Sequence, residues 1–394
     1  MARNGRKIFD ADTHVGPSMD ILEQYLSSEQ RRAFEPFADQ RRVNDRTGQV
    51  SFTIGARSYR RRLGSVGEGM GKGYLSGFTG SHKGREPDPD IDRDAAKRIA
   101  DLEIEGIDVN LLLPSGWFGC WTAVDNPELE LLAYGAYNRW MADYCSAYPE
   151  RLGGVVLLSA RNVDASVAEI RRCASQRWAW AVFPYVPAGM PLDHPDLEPL
   201  WAAAAEYDFS IVLHTFTAMP PYAPGGLDTW DNLFIQRSAA HPWCGMRNMA
   251  SLIGSGILDR YGDLRLGVLE AGHGWLPHWV QRLDEHAHSA AASLPPLKQL
   301  PGDYVRSGRY FQSVEIPEGG PLTNVVADFV GDDVLMFATD YPHGESWFPK
   351  AVDAVEAWDM PDARRSKLYW DNPVRFYARC GHQSDSISSH HPEG

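Results

Sequence analysis

Close to the N-terminus the chain reads Lys7-Ile8-Phe9-Asp10-Ala11-Asp12-Thr13-His14-Val15. Lys7–Asp12 has the make-up of a short strand, and Asp12 and His14 stand at its end. Alternate side chains of extended backbone share a face, so Asp12 and His14 point to the same side, here inward. Asp10 has the same parity and competes with them as a direct or supporting ligand. A parallel α/β barrel keeps its reactive groups at the C-terminal ends of its strands, because the βα loops build that face. If this stretch opens such a barrel, seven more strands must follow.

Seven candidates do follow: Ile107–Leu113, Gly153–Leu158, Ala179–Pro184, Phe209–His214, Leu264–Glu270, Arg309–Val314 and Val334–Thr339. Several are continuous apolar runs, as expected of parallel strands buried on both faces. Helix-like segments separate them, among them Asp92–Glu105, Asn126–Ala147, Asp164–Gln176, Leu197–Tyr207, Met246–Tyr261 and Pro277–His288. The alternation predicts an α/β protein, a (β/α)8 barrel of the TIM type with an insertion after strand 1. Residues 1–380 form its one domain. Residues 28–87, rich in Arg and Gly and including Arg60-Arg61-Arg62, are the insertion, read as a lid over the barrel mouth. The polar stretch 381–394 is expected to be a disordered tail, and its His390-His391 pair a solvated one.

The bulk composition narrows the function. Of 394 residues, 43% are hydrophobic and 23% charged, an ordinary balance for a globular protein with a large core. A net charge of -14 argues against a nucleic-acid partner, which needs a surplus of Lys and Arg. The five cysteines are scattered without a C-x-x-C pair and read as buried thiols in a reducing compartment. With no signal-like opening and no apolar run of about 18 residues, the expectation is a cytoplasmic protein without a membrane partner.

His214 ends the fifth strand candidate, and Asp340 ends the eighth in Thr339-Asp340-Tyr341-Pro342-His343. Two imidazoles and two carboxylates at converging strand ends suit one divalent metal ion: Zn²⁺ first, with Mn²⁺ or Fe²⁺ as alternatives. The plain alternative is that each residue only caps the helix that follows it.

These segments resemble the second amidohydrolase family, which includes aminocarboxymuconate semialdehyde, γ-resorcylate and 5-carboxyvanillate decarboxylases. The resemblance rests on Asp12-x-His14, the lone His214 and Thr339-Asp340-Tyr341-Pro342-His343. It rests also on Pro191-Leu192-Asp193-His194-Pro195, on Gly256-Ile257-Leu258-Asp259-Arg260-Tyr261, and on Asp371-Asn372-Pro373 with Phe376-Tyr377. It implies a mononuclear centre held by Asp12, His14, His214 and Asp340. Ala181-Val182-Phe183-Pro184-Tyr185 has no lysine of the kind that bridges two metals in binuclear relatives.

The chain departs from the family after strand six. Where family decarboxylases carry His-x-Gly, this chain has Glu270-Ala271-Gly272-His273-Gly274. Three assignments stay open: His273 reaches in as the acid–base group, Glu270 does so with a raised pKa, or His273 only orients Glu270 or Asp340. Asp340 serves as ligand and proton shuttle, and His343 as a hydrogen-bonding support to a ligand carboxylate. Trp117, Phe118, Trp121, Tyr185 and Trp275 are candidate walls for a flat substrate, against the reading that they only pack the loops. A carboxylate clamp would come from Arg60, Arg61, Arg62 or Arg247, with Arg61 as the representative of the triplet.

The resemblance implies non-oxidative decarboxylation of an aromatic or unsaturated carboxylic acid, a small-molecule substrate. The alternative is hydrolysis or hydration of a lactone, amide or conjugated acid by a metal-activated water. A barrel that binds without turnover is the third reading. The resemblance also implies a homodimer or homotetramer.

Overall fold

The computed structural model describes residues 5–43, 45, 50–54, 87–114, 120–122, 126–187, 190–214, 236–343 and 346–384. Strands form at all eight expected places: β1 Phe9–Val15, β2 Val109–Pro114, β3 Leu152–Ser159, β4 Ala179–Tyr185, β5 Ser210–His214, β6 Leu266–Leu269, β7 Tyr310–Ser313 and β8 Leu335–Met336. They lie parallel and in chain order in one sheet. The last strand returns to the first through Ala11 N–H to Phe337 O (3.0 Å) and Asp340 N–H to Asp12 O (3.1 Å), so the sheet is a (β/α)8 barrel. Regular pairing in β8 is shorter than expected for a physical reason. Beyond Met336 the Phe337 amide turns to Leu368 O and the Thr339 amide to the Asp10 carboxylate.

The outer layer is α1 Ala95–Glu105, α2 Pro127–Ser146, α3 Val163–Cys173, α4 Glu198–Glu206, α5 His241–Gly254, α6 Leu276–Ser289, α7 Gly319–Val330 and α8 Ala351–Glu356. Side-chain oxygens of Asp94, Asn126 and Asn162 cap α1, α2 and α3. The expected helix Met246–Tyr261 differs most. It begins five residues earlier, at His241 with Pro242 in the first turn, and stops before Gly256, whose φ of 71° breaks the run.

The floor of the barrel is closed by the C-terminal segment. Phe9 stacks on Tyr377 with ring centroids 5.6 Å apart, and the Tyr377 hydroxyl donates to Ala11 O (2.9 Å). Gly267 on β6 makes room for this plug, since a Cβ there would lie 2.2 Å from the Phe376 ring. Packing continues past the expected end of the domain. Ser384 donates to Asp371 (2.6 Å) and Gln383 O accepts from the Trp370 indole, so residues 381–384 are docked; the rest of the expected tail, with His390 and His391, lies outside the described residues.

Of the expected insertion, the described parts include a capped helix Ser28–Arg32 and the strands Arg41–Val43 and Val50–Ile54. These two strands pair antiparallel, and the second runs parallel to Cys120–Thr122, after β2. The four cysteines whose side chains are described are free and buried. Among the described residues no helix is long and apolar enough to cross a membrane.

Candidate metal centre

A bulge between Asp10 and Thr13 breaks the register of β1 against β2. The extra residue re-aims the side chains on either side of it, which the simple alternation could not anticipate. Asp10 therefore leaves the inward set. Its carboxylate accepts from the Thr339 amide (3.1 Å) and hydroxyl (2.6 Å) and holds the segment after β8 against β1. Burial pushes Asp10 up to about 7. Beyond the bulge the strand end is clamped from outside. The Thr13 hydroxyl donates to Leu111 O (2.6 Å), and the fully buried Arg98 of α1 donates to the His14 carbonyl.

Two further carboxylates enter on unusual backbone. Glu270, after β6, has φ 48°, and Asp340, after β8, has φ 58°. Left-handed conformations at residues with a Cβ cost roughly 1–3 kcal/mol and collect at functional sites. Each is held by its surroundings: the Glu270 amide donates to Ser313 Oγ (3.0 Å), and the Asp340 amide to Asp12 O.

The side chains converge. His14 Nε2 lies 3.0 Å from Asp340 Oδ1, 3.4 Å from Asp12 Oδ1 and 3.6 Å from Glu270 Oε2. His214 Nε2 lies 3.0 Å from Glu270 Oε2 and 3.9 Å from Asp12 Oδ1. The expected set of Asp12, His14, His214 and Asp340 is thus brought together, with Glu270 among them. Two overlapping groups, Asp12–His14–His214 and His14–Glu270–Asp340–His343, each offer ligand atoms within 4.8 Å of one another. His343 stands where a supporting imidazole was expected, with Nδ1 2.9 Å from Asp340 Oδ1 and its ring stacked on His14 at 3.9 Å.

The electrostatics call for a cation. Burial, and then the neighbouring Asp340, Glu270 and Asp10, raise Asp12 well above the usual carboxylate range, against the pull of His14. Burial and Glu270 would raise Asp340 too, but His343 and His14 outweigh them and hold it low. Burial lowers His214. Asp12 Oδ1, both ring nitrogens of His14 and both oxygens of Asp340 are buried yet make no aligned hydrogen bond. Buried polar atoms of this kind demand a partner. Oxygen and imidazole donors pointing at one another from several strand ends fit a single divalent metal ion.

His273 does not join them. It is fully buried, with Nδ1 2.6 Å from Glu318 Oε2 and Nε2 2.9 Å from Thr323 Oγ1, both on or beside α7. Gly272, at φ 68°, turns the chain away immediately after Glu270. Of the three assignments left open after strand six, the geometry supports Glu270 as the group facing the cluster. A third imidazole beside Glu270 was not anticipated: His241, at the start of α5, brings Nδ1 to 3.6 Å from Glu270 Oε1. Its signal was a His-Pro pair opening the helix after β5, on the face where the barrel keeps its chemistry.

A cavity of about 310 Å³ lies between the ends of β4 and β5 and α5, lined by Phe183, Tyr185, His214, Trp243 and Arg247 among others. A smaller one of about 30 Å³ reaches Asp12, Glu270 and Asp340 beside Trp347. Tyr185 is therefore where a substrate wall was expected. Trp275 is not a lining residue of either; its indole donates to Ala271 O (2.8 Å), so it packs the strand-six loop. Trp117, Phe118, Arg60, Arg61 and Arg62 lie outside the described residues, as does the side chain of Trp121.

Comparison with known proteins agrees with this architecture. The model of a family described as amidohydrolase matches residues 9–379. The γ-resorcylate decarboxylase of Rhodococcus jostii is 27% identical over 244 residues, 54% of this chain and 69% of that protein. A crystal structure of 5-carboxyvanillate decarboxylase from Novosphingobium aromaticivorans, with manganese and 3-methoxy-4-hydroxy-5-nitrobenzoic acid, matches with a TM-score of 0.65 at 20% identity, covering 95% of this chain and 98% of that one. An amidohydrolase from Mycobacterium avium subsp. paratuberculosis matches with a TM-score of 0.67 at 18% identity, covering 95% and 98%. At these identities the two solved structures speak for the fold.

Proposed function

We propose that this chain, which belongs to the amidohydrolase family, is a metal-dependent non-oxidative decarboxylase of an aromatic carboxylic acid. The observation that carries the reading is the convergence of Asp12, His14, His214 and Asp340, with Asp12 Oδ1, both His14 ring nitrogens and both Asp340 oxygens buried without aligned hydrogen bonds. The similarity to γ-resorcylate decarboxylase supports the choice of reaction.

Asp12, His14, His214 and Asp340 would hold the ion. When bound, it would supply a Lewis acid that takes the substrate's carboxylate and a neighbouring hydroxyl oxygen. Zn²⁺ and Mn²⁺ both suit the donor set, and the manganese in the 5-carboxyvanillate decarboxylase structure supports the latter. Glu270, between His214 and His241, is the acid that delivers a proton to the ring carbon bearing the carboxylate. The bond to the carboxylate then breaks, its electrons restore the aromatic ring, and carbon dioxide leaves. His343 fixes the Asp340 carboxylate, and the aromatic lining around Phe183 and Tyr185 excludes water from the protonated ring. The proposal includes a cytoplasmic location, in keeping with four free buried cysteines, and a homodimer or homotetramer. Val325 and Phe329, exposed one turn apart on α7, offer an apolar face for assembly.

The test couples metal content with product. Purified wild type is expected to carry about one equivalent of manganese or zinc and to release carbon dioxide from a member of a hydroxybenzoate panel, and His214→Ala to lose both. A wild type that binds metal but adds water, leaving the carboxylate intact, would replace decarboxylation by hydration or hydrolysis.

A further inference from the structure

The cavity beside His214 is apolar over most of its wall, with Phe183, Leu213, Trp243 and Trp279 among its lining. One cation also faces it. Arg247 lies on α5 one turn beyond Trp243, with its guanidinium 6.0 Å from the indole centroid. Among the described residues Arg247 makes no ion pair and no hydrogen bond, whereas Arg161, Arg260, Arg364 and Arg375 are each held by a carboxylate. In a chain of net charge -14, an arginine that pairs with no carboxylate among the described residues, on the wall of a cavity, is placed to receive an anion.

The volume, about 310 Å³, is that of a small-ligand pocket, and its aromatic walls suit a flat ring. His214 belongs both to the donor cluster and to the wall of this cavity, so a ring whose carboxylate lies at the cluster would enter the cavity past it. A substituent remote from that carboxylate then comes to the α5 wall. We infer that Arg247 determines specificity by receiving a second anionic group there, so that the preferred ligand is an aromatic dicarboxylate over a monocarboxylate. This rests on the proposed metal centre holding the first carboxylate.

The experiment is a titration of intrinsic tryptophan fluorescence, with Trp243 and Trp279 as reporters in the cavity wall. Isophthalate and benzoate are the probes, added to manganese-loaded wild type, Arg247→Gln and Arg247→Lys. Isophthalate is expected to bind wild type about tenfold or more tightly than benzoate, a charge-assisted pair being the source of the margin. Arg247→Gln should lose that margin with benzoate affinity unchanged, and Arg247→Lys should regain part of it, because lysine keeps the charge but not the fork. Equal affinities for the two acids in wild type, or a parallel loss of both in Arg247→Gln, would overturn the inference and leave the metal centre standing. Binding of neither acid by manganese-loaded wild type would sink the reading of the centre, and the inference with it.

Discussion

Glu270 is the residue on which the proposed chemistry turns. It occupies a left-handed position, faces His14, His214 and His241, and stands where family decarboxylases carry a histidine. Glu270→Gln keeps the size and the backbone preference while removing the transferable proton. It is expected to retain its metal and to lose activity by about 10²–10⁴-fold, the usual worth of a positioned acid. His273→Asn should behave the other way, with a lowered melting temperature and turnover within a few-fold of wild type. Steady-state kinetics alongside metal analysis separate the two, and a His273→Asn enzyme as inactive as Glu270→Gln would return the acid to His273. The spacing Glu270-Ala271-Gly272-His273 left this choice open because residue counting assumes a continuing strand. Two successive left-handed turns, at Glu270 and Gly272, end the strand and send His273 under α7. The candidate ligands Asp12 and His14 were legible because both belong to β1 and are two residues apart. Asp10 was not, since a bulge breaks the parity that seemed to unite all three.

At the scale of elements, one contact joins the loop after β6 to the start of α7. Glu318 accepts from the amides of His273 (2.7 Å) and Gly274 (2.9 Å) and pairs with the His273 ring. Burial alone would raise its pKa, but the imidazole and the two amides together lower it. A depressed carboxylate contributes stability that is fully present above its unfolded value near 4.5, and that is lost as pH falls through the folded value. Glu318→Gln should therefore cost about 1.5–3 kcal/mol at pH 7, the range for hydrogen bonds to charged groups. The deficit should shrink as the pH is lowered below about 4. Thermal melts of wild type and variant across that range check it, and a deficit that does not change with pH would mean that the charge plays no part. Helix α7 itself was not read from the sequence. It opens with Gly319-Gly320-Pro321, a run that signals a turn, and the tertiary contacts of Thr323, Val326 and Val330 carry it instead.

For the molecule as a whole, all eight strands were legible, because continuous apolar runs between amphipathic segments have few other solutions. The site at the barrel mouth gathers Asp12, Glu270 and Asp340 against their mutual repulsion, which a bound cation would relieve. Chelation should therefore lower the melting temperature of wild type, and added manganese should restore it. An ion present at a hundred times its dissociation constant is worth about 2.7 kcal/mol. Calorimetry of His214→Ala should show no such difference between chelated and manganese-supplemented samples. A wild-type melting temperature indifferent to chelator and to added metal would count against the centre.

The bond from Thr339 to Asp10 closes the barrel across 329 residues of sequence. Translation makes Asp12 and His14 more than three hundred residues before Asp340. Until then β1 can pair with β2 along one edge, while the edge that carries Ala11 and Asp12 toward β8 stays open. On the proposed centre the full ligand set exists only once β8 has been made, and until then the open edge of β1 is a pairing hazard for the nascent barrel.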